Sequence, residues 1–361
     1  MTRAKPEFWT YGHCHPKKFA RQAQNAEAQG WDGVTCGESQ NLTGDPFVAI
    51  GIAAHATTTI KMATSVAITA TRHPATTACA AATCQEESDG RMVLGIGTGD
   101  SATAHLGLRP DPLKSFTRYM ERLQGYLRGE DVPFDLEADG KGGQHASYDA
   151  MGLASGPTAS RLRWLNPAIP KVPVDIAASG PKTIAMAARL GDAVGFAVGA
   201  NPERLGWAID VARSARKDAG LDPDTIPFGA YMPLFCHPDK RRAQELISGT
   251  AASFSHLSSM FGKISGPANE EQAKVLTAVR DTYDMSKHQT VNSPQSKVLT
   301  DDVIDAFCIA GPPSYCIERL QELTELGVQK FIFVGYSFEM DPEEAKASRR
   351  RIIEEVVPAL R

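Results

Sequence analysis

The chain has 361 residues, 42% hydrophobic and 22% charged, with a formal net charge of −4 at pH 7. That composition can bury a sizeable core and excludes a disordered chain, and without a basic stripe it makes nucleic acid and anionic membrane poor partners. Residues 1–6 carry no apolar leader core, no stretch of about 18 apolar residues occurs, and the seven cysteines include no CxxC pair, so free thiols in a reducing cytoplasm are expected.

Short β-rich runs alternate with helical stretches along the chain. Glu7–Gly12 (EFWTYG) reads as the first strand, followed by a helical stretch from Pro16 to Gln29 that Gly30 ends. Asp32–Gly37 is the second strand, and Asp45-Pro46 opens a helix with Asp as N-cap and Pro at the first helical position. Ile60–Ile68 is the third strand, His73-Pro74 opens the next helix, Arg91–Gly97 is the fourth strand, and a helix covers about 113–128. From about 130 to 172, polar turns such as Gly140–Gly143 predict an irregular insertion carrying a hairpin.

The alternation resumes with a fifth strand at Val172–Ala178, a helix from Pro181 to Leu190, a sixth strand at Asp192–Val198 and a long helix from Asn201-Pro202. Pro227–Cys236 contains the seventh strand, and a helix follows from Pro238. A second irregular region is expected over 260–300, then a helix from Pro313 to Leu326, the eighth strand at Gln329–Gly335, and a final helix over about 342–357. Eight strand–helix units predict an α/β fold, a (β/α)8 TIM barrel forming one domain over 1–361, with insertions at 130–172 and 260–300; an open doubly wound sheet is the rival. Phe8, Trp9, Tyr11 and Met62 are expected in the core, because strand residues must fill the barrel interior or its helix-facing layer.

In a barrel, chemistry belongs at the C-terminal ends of the strands. There the sequence places His13-Cys14-His15, Glu38-Ser39-Gln40, Arg72-His73, Thr98–Ser101 and Ser179–Thr183. Ser179, Gly180, Pro181, Lys182 and Thr183 open a helix, whose free N–H groups and positive dipole end favour a phosphate; a plain helix cap has the same composition. Gly95–Asp100 (GIGTGD) lacks the dinucleotide-fingerprint spacing, and its glycines suggest close approach of a bulky group, or else tight packing at the barrel mouth. His13 and His15 do not make a complete metal site, since other strand ends supply no further ligands, so no metal is expected. Arg72 and His73 suit an anion or carbonyl contact and proton transfer; the alternatives are a surface ion pair and a helix cap.

Ala63-Thr64-Ser65-Val66, Thr71–Pro74, Val93–Ser101, and Ala178–Thr183 followed by Arg189–Asp192 together resemble the bacterial-luciferase-like flavin enzymes, and the likeness runs from the first strand to Ile309–Leu320. The resemblance implies a cofactor at the strand C-termini. It implies a non-prolyl cis peptide at Ser65–Val66 against the flavin ring, and Thr98, Gly99, Asp100 and Ser101 with Ser179–Thr183 around the phosphate and ribityl chain. It implies a homodimer, and His13, Glu38, Arg72 and His73 as candidate catalytic residues. The first functional expectation is a monooxygenase that uses O2 and reduced FMN supplied by a partner flavin reductase on a small organic substrate. Alternatives are a deazaflavin (coenzyme F-420) oxidoreductase transferring hydride, resembling the methylenetetrahydromethanopterin reductases, and a flavin-binding protein without catalysis. Deazaflavin-dependent glucose-6-phosphate dehydrogenases carry Asp-His where Glu38-Ser39 stands, which argues against sugar-phosphate oxidation. Methylene-pterin reductases carry Asn-Pro where Ile68-Thr69 stands.

Overall fold

The computed structural model describes residues 5–134, 148, 151–334 and 336–361. Its strands are β1 (Glu7–Gly12), β2 (Gly33–Cys36), β3 (Lys61–Thr64), β4 (Ala67–Ile68), β5 (Met92–Gly97), β6 (Val132–Pro133), β7 (Ala159–Ser160), β8 (Val174–Ala178), β9 (Ala193–Phe196), β10 (Phe228–Cys236), β11 (Ile309–Gly311) and β12 (Lys330–Val334). Parallel pairing runs β1–β2–β3–β5–β8–β9–β10–β12 and returns to β1, so the expected barrel closes.

Both faces of such a sheet are covered, and the strands therefore read as continuous apolar runs; every residue of β10 is buried. Phe8 points to the helix layer, its ring 5.8 Å from Phe331 and 5.9 Å from Phe333. Trp9 points into the barrel with Tyr231 and Ile332. Gly33 on β2 makes room for it, because a Cβ there would lie 2.2 Å from the indole. The Lys330 ammonium sits 5.3 Å from the Trp9 ring and pairs with buried Asp175, which keeps the charged pair inside the barrel compensated. Met62 is fully buried, while Tyr11 is half-buried at the end of β1.

Three features depart from the sequence reading. The third strand is two pieces, β3 and β4, on either side of a cis Ser65–Val66 peptide. The 260–300 region, expected to be irregular, holds a 13-residue helix, Glu270–Thr282, started by a capping box in which Asn269 and Gln272 satisfy each other's backbone N–H groups. Strand β11 was not expected; it pairs with the last three residues of β10, Leu234–Cys236, above the level where β12 leaves it. In the first insertion, β6 and β7 pair antiparallel and close a hairpin at its base; the Gly140–Gly143 turn lies outside the described residues. All seven cysteines are free thiols, and no described helix is long and apolar enough to cross a membrane.

Candidate active site at the barrel mouth

Solvent access rises abruptly where the strands end. Thr64 and Ala67 are each 1% exposed, yet Ser65 and Val66 between them are half-buried. On the neighbouring strand Ile96 is buried, and Thr98, Gly99, Asp100 and Ser101 beyond it are half-buried. Beyond buried Ala178, Ser179, Gly180 and Thr183 are half-buried and Pro181 and Lys182 exposed. These segments adjoin one another: a Cβ on Gly97 would lie 3.1 Å from Val66 Cγ2, and one on Gly99 would lie 3.0 Å from Ile68 Cγ2. Gly99 also has φ +81°, which a side chain adopts only with strain. Glycine at these places lets the β5 end lie directly against the Ser65–Val66 bulge and keeps the mouth open beside it.

Glu38 holds that bulge from behind. Its carboxylate is buried and accepts the Ile68 N–H at 2.9 Å, Arg72 Nε–H at 2.9 Å and Gln40 Nε2–H at 2.7 Å. The rest of the Arg72 fork reaches Asp45, whose other oxygen caps helix Pro46–Ala56 by accepting from Phe47 and Val48 N–H; the guanidinium also lies 5.0 Å from the Phe47 ring centroid. Although burial disfavours its charge, hydrogen bonding to Glu38 and the two carboxylate charges hold the Arg72 guanidinium firmly protonated. Glu38 and Arg72 thus form a brace between the β2 end, the third strand and a helix start.

His73 is exposed, and its Nδ1 accepts the Ala75 N–H at 3.2 Å as N-cap of helix Pro74–Glu87. His13 stands at the rim, edge-on to Tyr11 at 5.6 Å and stacked on His15 at 5.9 Å. Enclosure by the strand ends, then His15, Arg349 and Lys18, lowers its tendency to protonate. Among the described residues no group of three His, Cys, Asp or Glu side chains is arranged to hold a metal ion.

Asp100 is the perturbed carboxyl of the mouth. Burial pushes it up to about 6. Beyond the adjoining strand β8, helix Pro181–Leu190 begins at Gly180 without a side-chain cap, which leaves its first N–H groups directed at the mouth together with Lys182 and Thr183.

The sequence reading missed the opposite wall. Residues 256–290 form this wall, which reaches the mouth at Ser265, whose Oγ lies 3.9 Å from the Gly180 Cβ position; the Tyr283 hydroxyl feels the Asp100 charge. Buried Arg204 anchors this segment, donating from Nε to Val198 O (2.7 Å), from Nη1 to Pro267 O (2.5 Å), and from Nη2 to Ser258 Oγ (2.7 Å) and Ser265 O (2.9 Å). Within it the His256 and Tyr283 rings stack at 3.9 Å, and the Tyr283 hydroxyl and His288 Nδ1 share a hydrogen bond of 2.7 Å. Burial holds both imidazoles down at about 4, with His256 and His105 adding to the effect on His288. The capping box at Asn269 was the available sequence signal for this wall; nothing local marks the meeting of His256, Tyr283 and His288.

Comparison with known proteins agrees with this fold. The sequence profile of the luciferase-like monooxygenases matches residues 3–330. The 5,10-methylenetetrahydromethanopterin reductase of Methanolobus tindarius is 26% identical over 320 residues, 87% of this chain and 89% of that protein. Among solved structures, the coenzyme F-420-dependent tetrahydromethanopterin reductase from Methanopyrus kandleri superposes with a TM-score of 0.73 at 23% identity, covering 99% of this chain and 100% of the other. The EDTA monooxygenase from Chelativorans sp. BNC1 superposes with a TM-score of 0.66 at 14% identity, covering 99% and 93%.

Proposed function

The chain belongs to the luciferase-like monooxygenase family, a family of oxidoreductases, and we propose that it is a deazaflavin-dependent member that transfers hydride between coenzyme F-420 and a small organic substrate. The observation that carries a flavin-type coenzyme is the half-buried Ser65–Val66 bulge with the glycine-lined β5 end against it. The residues present fit such a group. Ser65 and Val66 would lie against the ring system, and Ser179, Lys182, Thr183 and the free N–H groups of helix Pro181–Leu190 would hold the phosphate. The choice of deazaflavin over FMN, reversing the first expectation from sequence, is supported by the archaeal reductases, which match over most of both chains. FMN with oxygen is the second reading, supported by the likeness of fold to EDTA monooxygenase.

A bound deazaflavin would supply or accept the hydride. The protein's part is to place the substrate, exclude water and move the accompanying proton. Asp100, with a carboxyl near 6 at the mouth, is matched to proton exchange near neutral pH. Glu38 and Arg72 act as positioning residues in this reading, since each is already engaged by the other and by the backbone or helix start beside it. His73 serves as a cap, and His13 is exposed just beyond the end of β1. The same reading includes a homodimer. Helix Pro46–Ala56 buries Ile50, Ala53 and Ala54 inward yet leaves Val48 62% and Ile52 60% exposed on its outer face, which a second copy would cover.

The test is an anaerobic fluorescence titration of the purified protein with F-420 and with oxidised and reduced FMN. Saturable F-420 binding with weak FMN binding is the expected result. Preference for reduced FMN would replace the deazaflavin reading with the monooxygenase. No binding of either at about millimolar ligand, roughly 4 kcal/mol of affinity, would end both.

A further inference from the structure

We propose that Tyr283 is a proton-transferring residue of this active site and that His288 is its exchange partner. The inference rests on the hydride-transfer reading above. It starts from three side chains on the wall over the mouth that no feature of the cofactor cradle uses. Tyr283 and His288 share a 2.7 Å hydrogen bond in which either atom can donate. The Tyr283 ring is fixed by stacking on His256 at 3.9 Å and 22°, so the hydroxyl is held in one direction. Tyr283 belongs to the wall segment whose Ser265 Oγ lies 3.9 Å from the Gly180 Cβ position at the mouth, and its hydroxyl feels the charge of Asp100 at the β5 end.

His288 is half-buried and directly follows exposed Ser286 and Lys287, so the imidazole end of the pair adjoins solvent. A half-buried tyrosine–imidazole pair that ends near the surface has the composition of a proton wire, because both groups can give one proton while accepting another. His256 Nδ1 is buried without a hydrogen-bond partner, and its ring serves the stack.

Hydride adds to the carbon of a substrate C=X bond and the electron pair of that bond moves to X. X takes the Tyr283 hydroxyl proton, and the Tyr283 oxygen takes the Nδ1 proton of neutral His288 as Nε2 takes one from a water molecule, whose hydroxide is neutralised by bulk solvent. Oxidation of the substrate runs the same transfers backward. Burial, and then the Asp100 charge, raise the hydroxyl above its ordinary value, so Tyr283 stays protonated until a strongly basic X forms beside it.

The experiment uses the full chain with reduced F-420 and menadione, a quinone that accepts hydride and a proton, comparing wild type with Tyr283→Phe and His288→Gln. Phenylalanine preserves the stack on His256, and far-UV circular dichroism with F-420 affinity confirms that fold and coenzyme site are intact. The expected result is a kcat reduced roughly 10²-fold in Tyr283→Phe, a smaller loss in His288→Gln, an unchanged KM for reduced F-420, and a solvent deuterium isotope effect on kcat in wild type that shrinks in Tyr283→Phe. Wild-type kcat and isotope effect in both variants would overturn the proposal and leave the hydride-transfer reading standing. Failure of the wild type to bind or oxidise reduced F-420 would overturn the reading, and this proposal with it.

Discussion

Asp100 shows how one position couples stability to chemistry. Its carboxyl is raised from an unfolded value of 3.8 to about 6 by burial, so the folded state disfavours its ionised form. Below about pH 3 the group is protonated in both states and costs nothing. As pH rises from about 3 to 6 the unfolded chain ionises first, and the fold loses stability that it does not recover above 6. Asp100→Asn is therefore expected to stabilise the protein at pH 7 by roughly 1–3 kcal/mol, with the gain vanishing near about pH 3. Urea unfolding at both pH values measures this, and an equal effect at both would refute the assignment. The same substitution is expected to slow turnover, the usual trade between a strained site and a stable one. Glu38, at the end of β2, is the opposite case: its buried charge is satisfied by three donors, so its position contributes to stability and shape.

Among the elements, the wall over the mouth depends on a single buried cation. Arg204 lies on helix Pro202–Asp218, faces no carboxylate in its hydrogen bonds, and is pulled down to about 10 by burial. Four oxygens and the Phe307 ring, 4.7 Å away, surround it in place of water. Arg204→Met would strip the donors from the carbonyls of Pro267 and Ser265 and leave them short of partners. We expect a loss of roughly 3 kcal/mol and faster amide exchange over residues 258–267, while exchange in β1 and β12 keeps its wild-type order. Uniformly faster exchange would show that Arg204 supports the whole barrel and not this wall. The helix Glu270–Thr282 in the same wall carries its own start signal in Asn269 and Gln272, so its existence is a local matter. Its placement over the mouth comes from Arg204 and from the meeting of Gln289–Val291 with Phe338, which are long-range contacts.

For the molecule as a whole, the exposed Val48 and Ile52 lead to a prediction about assembly. Replacing both by Glu leaves the buried face of helix Pro46–Ala56 untouched, so the barrel should fold. Light scattering behind size exclusion is expected to show a dimer for the wild type and a monomer for the double variant. A monomeric wild type would refute this use of the surface. Much of the barrel was legible beforehand because its cause is local and repetitive. Apolar runs bounded by Gly, Pro and helix caps recur eight times, and Asp45, His73 and Asn201 cap the helices that their residue types announced.

The strand ends were legible for the same reason, since parallel strands and crossover helices direct every C-terminal end to one face. Local sequence therefore determined the fold class, the number of barrel strands, the face that carries the opening and the polar residues available there. Tertiary structure alone decided how those residues are used: Glu38 and Arg72 are committed to a brace, the Asp100 carboxyl is raised by burial, and His256, Tyr283 and His288 meet across 32 positions of chain. The reason is physical. Burial, pairing and pKa depend on atoms brought together from distant segments, and no local pattern of residue types encodes which of them will meet.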